Sequence, residues 1–180
     1  MPRQRTGDTR ARIQQAALDL FAERGVRQTS LRDIAERLGV TKPALYYHFA
    51  SREDLLNSLV EPMVKDFEAY AAELRAAAPI QPKELLGSYF DLGYRHRTVI
   101  RLAIRDLSVL QELNLADRFI EWRGALGELL VGSNPSLSDV VRCMVALGGL
   151  SDCAVMIDHE PVSELRAAAV EAAYDSLGRP

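Results

Sequence analysis

Residues 30–49, SLRDIAERLGVTKPALYYHF, decide how this chain is read. Ser30 opens a capping box with Asp33, in which a hydroxyl and a carboxylate satisfy the free N–H groups of a helix start. Leu31, Ile34, Ala35 and Leu38 then recur at helical spacing, so one stripe of this helix is apolar. Gly39 ends it, because a helix end commonly needs the left-handed backbone angle that glycine adopts readily. Val40 plugs the corner, and Thr41 offers its hydroxyl to the N–H groups of a second helix. Pro43 falls in the first turn of that helix, where a missing N–H costs nothing. Ala35, four residues before Gly39, lets the two helices cross closely, while Ile34, Val40 and Leu45 are spaced to form a small shared core. Leu45 and Phe49 point inward, leaving Lys42, Ala44, Tyr46, Tyr47 and His48 outside. Two readings of the tyrosines stand: they edge the core, or they touch phosphates and base edges. Two tyrosines, a histidine and a lysine within seven positions suit the second.

Outward from this unit, the spacing of Ile13, Ala17, Leu20 and Phe21 predicts an opening helix over about 9–24, closed by Gly25 and completing a three-helix domain. Arg3 and Arg5 precede it, either as a solvated tail or as a basic arm for the minor groove. Ser51 and Asp54 form a second capping box, which starts a helix running to about residue 77 and spanning roughly 40 Å at about 1.5 Å per residue. Pro62 lies inside it and removes the hydrogen bond to the Ser58 carbonyl, which predicts a kink that serves as a hinge or as a static bend. The segment Pro79–Pro82 is the clearest break. Helices are then expected over about 83–96, 98–110, 114–131, 136–157 and 161–177. With no alternating strand pattern, internal repeat or low-complexity segment, the chain is expected to be all-α, with about nine helices.

Residues 9–56 together resemble the N-terminal DNA-binding domain of the tetracycline-repressor (TetR) family of bacterial transcriptional regulators. The resemblance rests on AALDLFAERG, Thr29-Ser30, DIAERLGV, LYYHF and SREDLL, and covers roughly the first third of the sequence. It implies a DNA-binding helix-turn-helix domain over 1–52 and a helical effector-binding and dimerisation domain over 53–180. It also implies a regulator, usually a repressor, that binds a pseudo-palindromic operator in double-stranded DNA as a homodimer and is released by a small-molecule effector. Carried over by position, Thr41, Lys42, Ala44, Tyr46 and His48 occupy recognition-helix sites, with Arg32 able to make a bidentate contact to guanine. Ser30, Tyr47 and Arg52 fall where phosphates are met. Ala44 stands where a polar side chain would read a base more richly, so a thymine methyl is its natural partner.

Charge is distributed accordingly. The formal net charge is -3, yet residues 1–52 hold ten Lys and Arg against five Asp and Glu, and 53–180 hold twelve against twenty. A basic first segment attracts phosphate while an acidic remainder is repelled by it, which orients the chain on a duplex. No run of eighteen apolar residues occurs and no apolar stretch follows the basic N-terminus, so neither a membrane span nor a secretory signal is expected, and the cytoplasm is the expected location. Cys143 and Cys153, ten apart in a helical apolar run, read as packed thiols. His48, His96 and His159 have no metal-ligand spacing, and no metal or other cofactor is expected.

From Leu137 to Ile157 apolar or small residues cover nearly the whole helix circumference, so all sides must be covered. The last helix supplies Val162, Leu165, Ala168, Ala169, Ala172 and Ala173, short enough for close approach. A four-helix bundle between two copies, built from the last two helices of each, satisfies both, as does burial inside one chain. Candidate effector-lining residues are Tyr89, Phe90, Tyr94, Phe119, Trp122 and Met144, with Gly87, Gly93, Gly124 and Gly127 making room and Arg101, Arg105 and Asp106 as a polar floor; each also reads as ordinary core or surface. A nucleophile elbow, a glycine-rich phosphate loop, a helical His-Glu-x-x-His and a CxxC pair are all missing, so an enzyme is not expected. An architectural DNA-binding protein without sequence preference would need basic character throughout.

Overall fold

The computed structural model describes residues 3–76 and 80–178, with side chains from residue 8 onward. The side chains of Arg3 and Arg5, and Pro79, lie outside the described residues. Ten helices follow one another and no strand occurs among the described residues: α1 (Arg3–Arg24), α2 (Leu31–Leu38), α3 (Lys42–His48), α4 (Arg52–Ala76), α5 (Pro82–Arg95), α6 (Arg97–Arg105), α7 (Leu107–Glu112), α8 (Leu115–Val131), α9 (Leu137–Met156) and α10 (Val162–Ser176). None is long and apolar enough to cross a membrane.

Two departures from the sequence reading have local causes. Helix α1 begins at Arg3 rather than near residue 9, so the backbone of the expected arm is helical. The only breaker there is Gly7, worth about 1 kcal/mol against alanine, and its neighbours include good helix formers. The helix expected over 98–110 is two helices, which makes ten rather than nine. Asp106 leaves helical geometry at φ -128°, ψ 93° and caps α7 by accepting from the Ser108 N–H.

The described residues form two compact units. The first runs to Met63 and includes Leu102–Leu115; the second comprises Val64–Arg101 and the chain from Ala116 on. The first is therefore larger than the 1–52 segment. Its core is made by Ile13, Ala17, Leu20 and Phe21 of α1, Ile34 of α2, Leu45 and Phe49 around α3, and Leu55 and Met63 of α4, all essentially inaccessible. Pro62 sits inside an unbroken α4. The Ser58 carbonyl, which a proline cannot reach, is instead met by the Gln14 side-chain amide at 3.3 Å, and the same nitrogen donates to Ser58 Oγ at 3.0 Å. A half-buried acceptor thus finds a substitute donor.

In the second unit α5, α9 and α10 pack on one another. Gly87 of α5 gives space to the Arg166 guanidinium of α10, which lies where a Cβ would be and pairs with Asp91 at 2.7 Å. Its small size thus serves a helix crossing rather than an effector. Helix α9 buries Cys143, Ala146, Leu147, Leu150 and Ala154, but leaves Leu137, Val141, Met144 and Val145 exposed in the single protomer.

Candidate nucleic-acid interface

The turn between α2 and α3 is built as its residues dictate. Ser30 Oγ accepts from the Asp33 N–H at 3.2 Å, and the Asp33 carboxylate accepts from the Ser30 N–H at 2.8 Å. The Ser30 hydroxyl, which donates to the Asp33 carboxylate at 2.5 Å, and the Ser30 N–H together hold that carboxyl below the usual carboxylate range. Gly39 takes φ 65°, and its N–H and that of Val40 close the end of α2 on Glu36 and Ala35 carbonyls. Thr41 then caps α3 through the Ala44 N–H at 3.4 Å.

Leu45 and Phe49 are fully buried, which fixes the rotation of α3 and turns its other face outward. Tyr46 is 54% and Tyr47 80% exposed. Thr41, Lys42 and Ala44 are exposed beside them, and His48 is half-buried with its ring edge-on to Tyr47 at 5.3 Å. Tyr47 thus stands largely clear of the core, while Tyr46 is about half exposed at the edge of a groove that Leu31 and Ala50 also line.

A second feature adjoins this face. A groove of about 710 Å³ is lined by Arg27, Ser30, Arg32, Tyr46, Ser51 and Arg52, with Glu53 and Glu112 on its margin. It brings Ser30, Arg32, Tyr46 and Arg52 together, while Thr41, Lys42, Ala44, Tyr47 and His48 stand apart from it on α3. Arg32 is exposed and its Nε donates to Glu36 at 2.7 Å. Arg52 is more committed: Nη1 donates to the Val26 carbonyl at 2.9 Å, and Nη2 lies 3.2 Å from Glu53 and 3.5 Å from Glu112. A phosphate would have to compete for it.

Three residues that the sequence reading did not place here shape this site. Arg10 of α1 donates to the His48 carbonyl at 2.9 Å and stacks its guanidinium 4.2 Å from the Phe49 ring, which holds the end of α3. Arg27 adds an exposed cation to the groove. Asp106 accepts from the Val26 N–H at 2.9 Å, so Val26 is held from both sides, by Asp106 at its N–H and by Arg52 at its carbonyl. The Ser108 hydroxyl and these N–H donors keep the Asp106 carboxyl below its ordinary value. Asp106 therefore serves as a helix cap, and Arg101 is engaged by the Val155 carbonyl and Asp158, so the two do not form a polar floor with Arg105.

The effector candidates are dispersed. Phe119 and Trp122 pack around Phe67, with Trp122 stacked at 4.9 Å, and His96 beside them donates through Nε2 to the Asp66 carboxylate at 2.8 Å. Tyr89 and Phe90 are buried in α5, and Tyr94 stacks on Phe90 and on the Arg97 guanidinium. Met144 is 70% exposed on α9. Among the described residues no cluster able to hold a metal forms.

A first helix with one buried face, a capped two-helix turn and a second helix with an exposed aromatic face define a helix-turn-helix unit. Residues 13–59 match the model for bacterial regulatory proteins of the tetR family. The chain is 36% identical over 84 residues to the HTH-type transcriptional regulator AcrR of Shigella flexneri, covering 47% of this chain and 39% of that protein. It is 35% identical over 130 residues to the HTH-type transcriptional repressor KstR2 of Rhodococcus jostii, covering 65% and 63%. The first curated relatives are thus matched over well under half of their length. The structure of the ketosteroid transcriptional regulator KstR2 of Mycobacterium tuberculosis superposes with a TM-score of 0.71 at 20% identity, covering 94% of this chain and 93% of that one. Residues 13–59 thus form a domain of the tetR family of bacterial regulatory proteins, and the likeness of the whole chain to solved regulators is one of fold.

Proposed function

We propose that this protein is a transcriptional repressor that binds a pseudo-palindromic operator in double-stranded DNA as a homodimer in the cytoplasm, and releases it when a small apolar or amphipathic effector binds the helical second unit. The observation that carries the reading is the outward face of α3, where Leu45 and Phe49 are buried while Tyr46 and Tyr47 are exposed. Lys42, Ala44, Tyr46 and His48 then address base edges, Ala44 through a thymine methyl. Thr41, Tyr47 and Ser30 address the backbone, and Arg27, sharing the groove with Ser30, joins them. Arg32 reads guanine by exchanging Glu36 for the base, and Arg52 reaches phosphate by exchanging its acidic partners. The basic excess of residues 1–52 supports the polarity this requires.

Two copies are needed because one α3 reads one half-site, and a two-fold protein matches a two-fold operator. The last two helices are the family's dimerisation element, and the exposed apolar face of α9 supports that use here. For the effector, the aromatic groups around Phe119 and Trp122 and around Tyr89, Phe90 and Tyr94 are the proposed reporters. A ligand acts only by preferring the released state.

Selection of bound fragments from random and genomic DNA at near-physiological salt tests the reading. An enriched inverted repeat is expected. Salt-sensitive retention without a motif would replace it with an architectural role, and no retention would remove DNA from the account. Arg32→Ala is expected to relax preference at one base position and cost about 1–3 kcal/mol. Uniform weakening across sequences would make Arg32 a phosphate contact instead.

A further inference from the structure

A groove of about 550 Å³ runs between α8 and α9. Its floor is made small by glycine: a Cβ at Gly127 would lie 3.6 Å from the Cys143 sulfur, and one at Gly124 would meet nothing within 4 Å. Its rims are apolar and open, with Ile120 of α8 and Met144 of α9 each 70% exposed. From Met144 the apolar surface continues over Leu137, Val141 and Val145. Beyond the exposed Val162 at its start, the outward residues of α10 are small or charged: alanines at 167, 168 and 172, interleaved with Glu164, Glu171 and Asp175. Of the large apolar side chains left uncovered, Ile120, Val140 and Met144 line the α8–α9 groove itself.

A concave strip with a protruding knob on its own rim has the shape a two-fold contact needs, because one surface must supply both knob and hole. Charge singles out a second copy as the occupant. Arg123 and Glu128 both line the groove from α8, five residues apart, and Arg123 Nη2 is drawn to the Leu147 carbonyl at 3.4 Å. Two antiparallel α8 helices whose axis passes between these residues set each Arg123 against the other copy's Glu128, giving two symmetry-related attractive pairs from two sequence positions. A parallel arrangement would set like against like.

We infer that the homodimer interface takes in the α8–α9 groove, with Met144 of each copy seated over Gly124 and Gly127 of the other and Arg123–Glu128 pairs across the axis. The interface is then not confined to the last two helices. This rests on the homodimeric reading above and adds α8 to it. Unlike a surface salt bridge, pairs set beside an apolar strip that excludes water contribute to both affinity and register.

Sedimentation velocity over a dilution series, on the full chain, separates the possibilities. Wild type is expected to be dimeric. Ile120→Glu, Arg123→Glu and Glu128→Arg are each expected to weaken the dimer at least about 10-fold, and the double reversal to recover most of the loss. The two charge positions are exposed, so they carry the test even where Ile120→Glu disturbs folding, which circular dichroism reports. Dimers unaffected by all three changes, or a double reversal that recovers nothing, would overturn the inference and leave the homodimer standing on α9 and α10. A monomeric wild type would remove the homodimer itself.

Discussion

The two compact units expose their large side chains for different reasons. In the first, α3 shows Tyr46 and Tyr47, residues with a polar tip, on a helix whose rotation is fixed by Leu45 and Phe49 beneath. In the second, α9 shows Leu137, Val141, Met144 and Val145, which have nothing to offer water. Aromatic hydroxyls at a surface suit a polar, hydrated partner, whereas bare aliphatic groups suit one that removes them from solvent. The contrast is one of degree, since the first unit also leaves the aliphatic Ile104 and Leu107 exposed.

That contrast can be broken most severely through the core of the first unit. Phe49→Ala deletes a fully buried ring and is expected to cost about 3–5 kcal/mol. If the units are separately stabilised, native-state hydrogen exchange will show α2 and α3 losing protection while α9 and α10 keep theirs; equal losses would mean that the units melt as one. Next in size is Asp106→Ala, which strips the cap of α7 and orphans the Val26 N–H, for about 1–3 kcal/mol in urea unfolding. Because the folded carboxyl titrates below its ordinary value of 3.8, its contribution is present above that pH and is lost as pH falls through the lowered folded value. The gap between wild type and Asp106→Asn should therefore close in acid, and a gap that persists there would assign the loss to packing instead.

Smaller still is Gly39→Ala, where φ 65° makes a side chain unwelcome although space is open; roughly 1–2 kcal/mol is expected from thermal melts. Smallest for stability and largest for function is Tyr47→Ala. It should shift unfolding by less than about 0.5 kcal/mol and yet abolish tight operator binding. A destabilised Tyr47→Ala variant would return the tyrosine to the core-edge reading.

How much of this was legible depended on the range of the signal. The α2–α3 turn is governed by neighbours three or four residues apart: Ser30 with Asp33, Gly39 with Ala35, Thr41 with Ala44. All of them could be read along the chain, as could the burial of Leu45 and Phe49. Asp106 carried its own break, since a residue able to cap a following helix stood in the middle of an apolar run, but the run's periodicity outweighed it. The bonds from Arg10 to His48, Asp106 to Val26 and Arg166 to Asp91 join residues far apart in sequence and leave no periodic trace. The effector candidates failed to converge for the related reason that helical spacing places aromatics on a face but does not say which faces meet.

The substitute bond at Ser58 has a consequence for the order in which this sequence can change. Gln14 matters because Pro62 withholds a hydrogen, and with any other residue at 62 the helix would satisfy the Ser58 carbonyl itself. Loss of Gln14 is therefore costly in the present background and nearly silent after Pro62 has been replaced. The two positions, one on α1 and one on α4, are epistatic: the viable path runs through position 62 first, and a double-mutant cycle would register the dependence as a coupling energy.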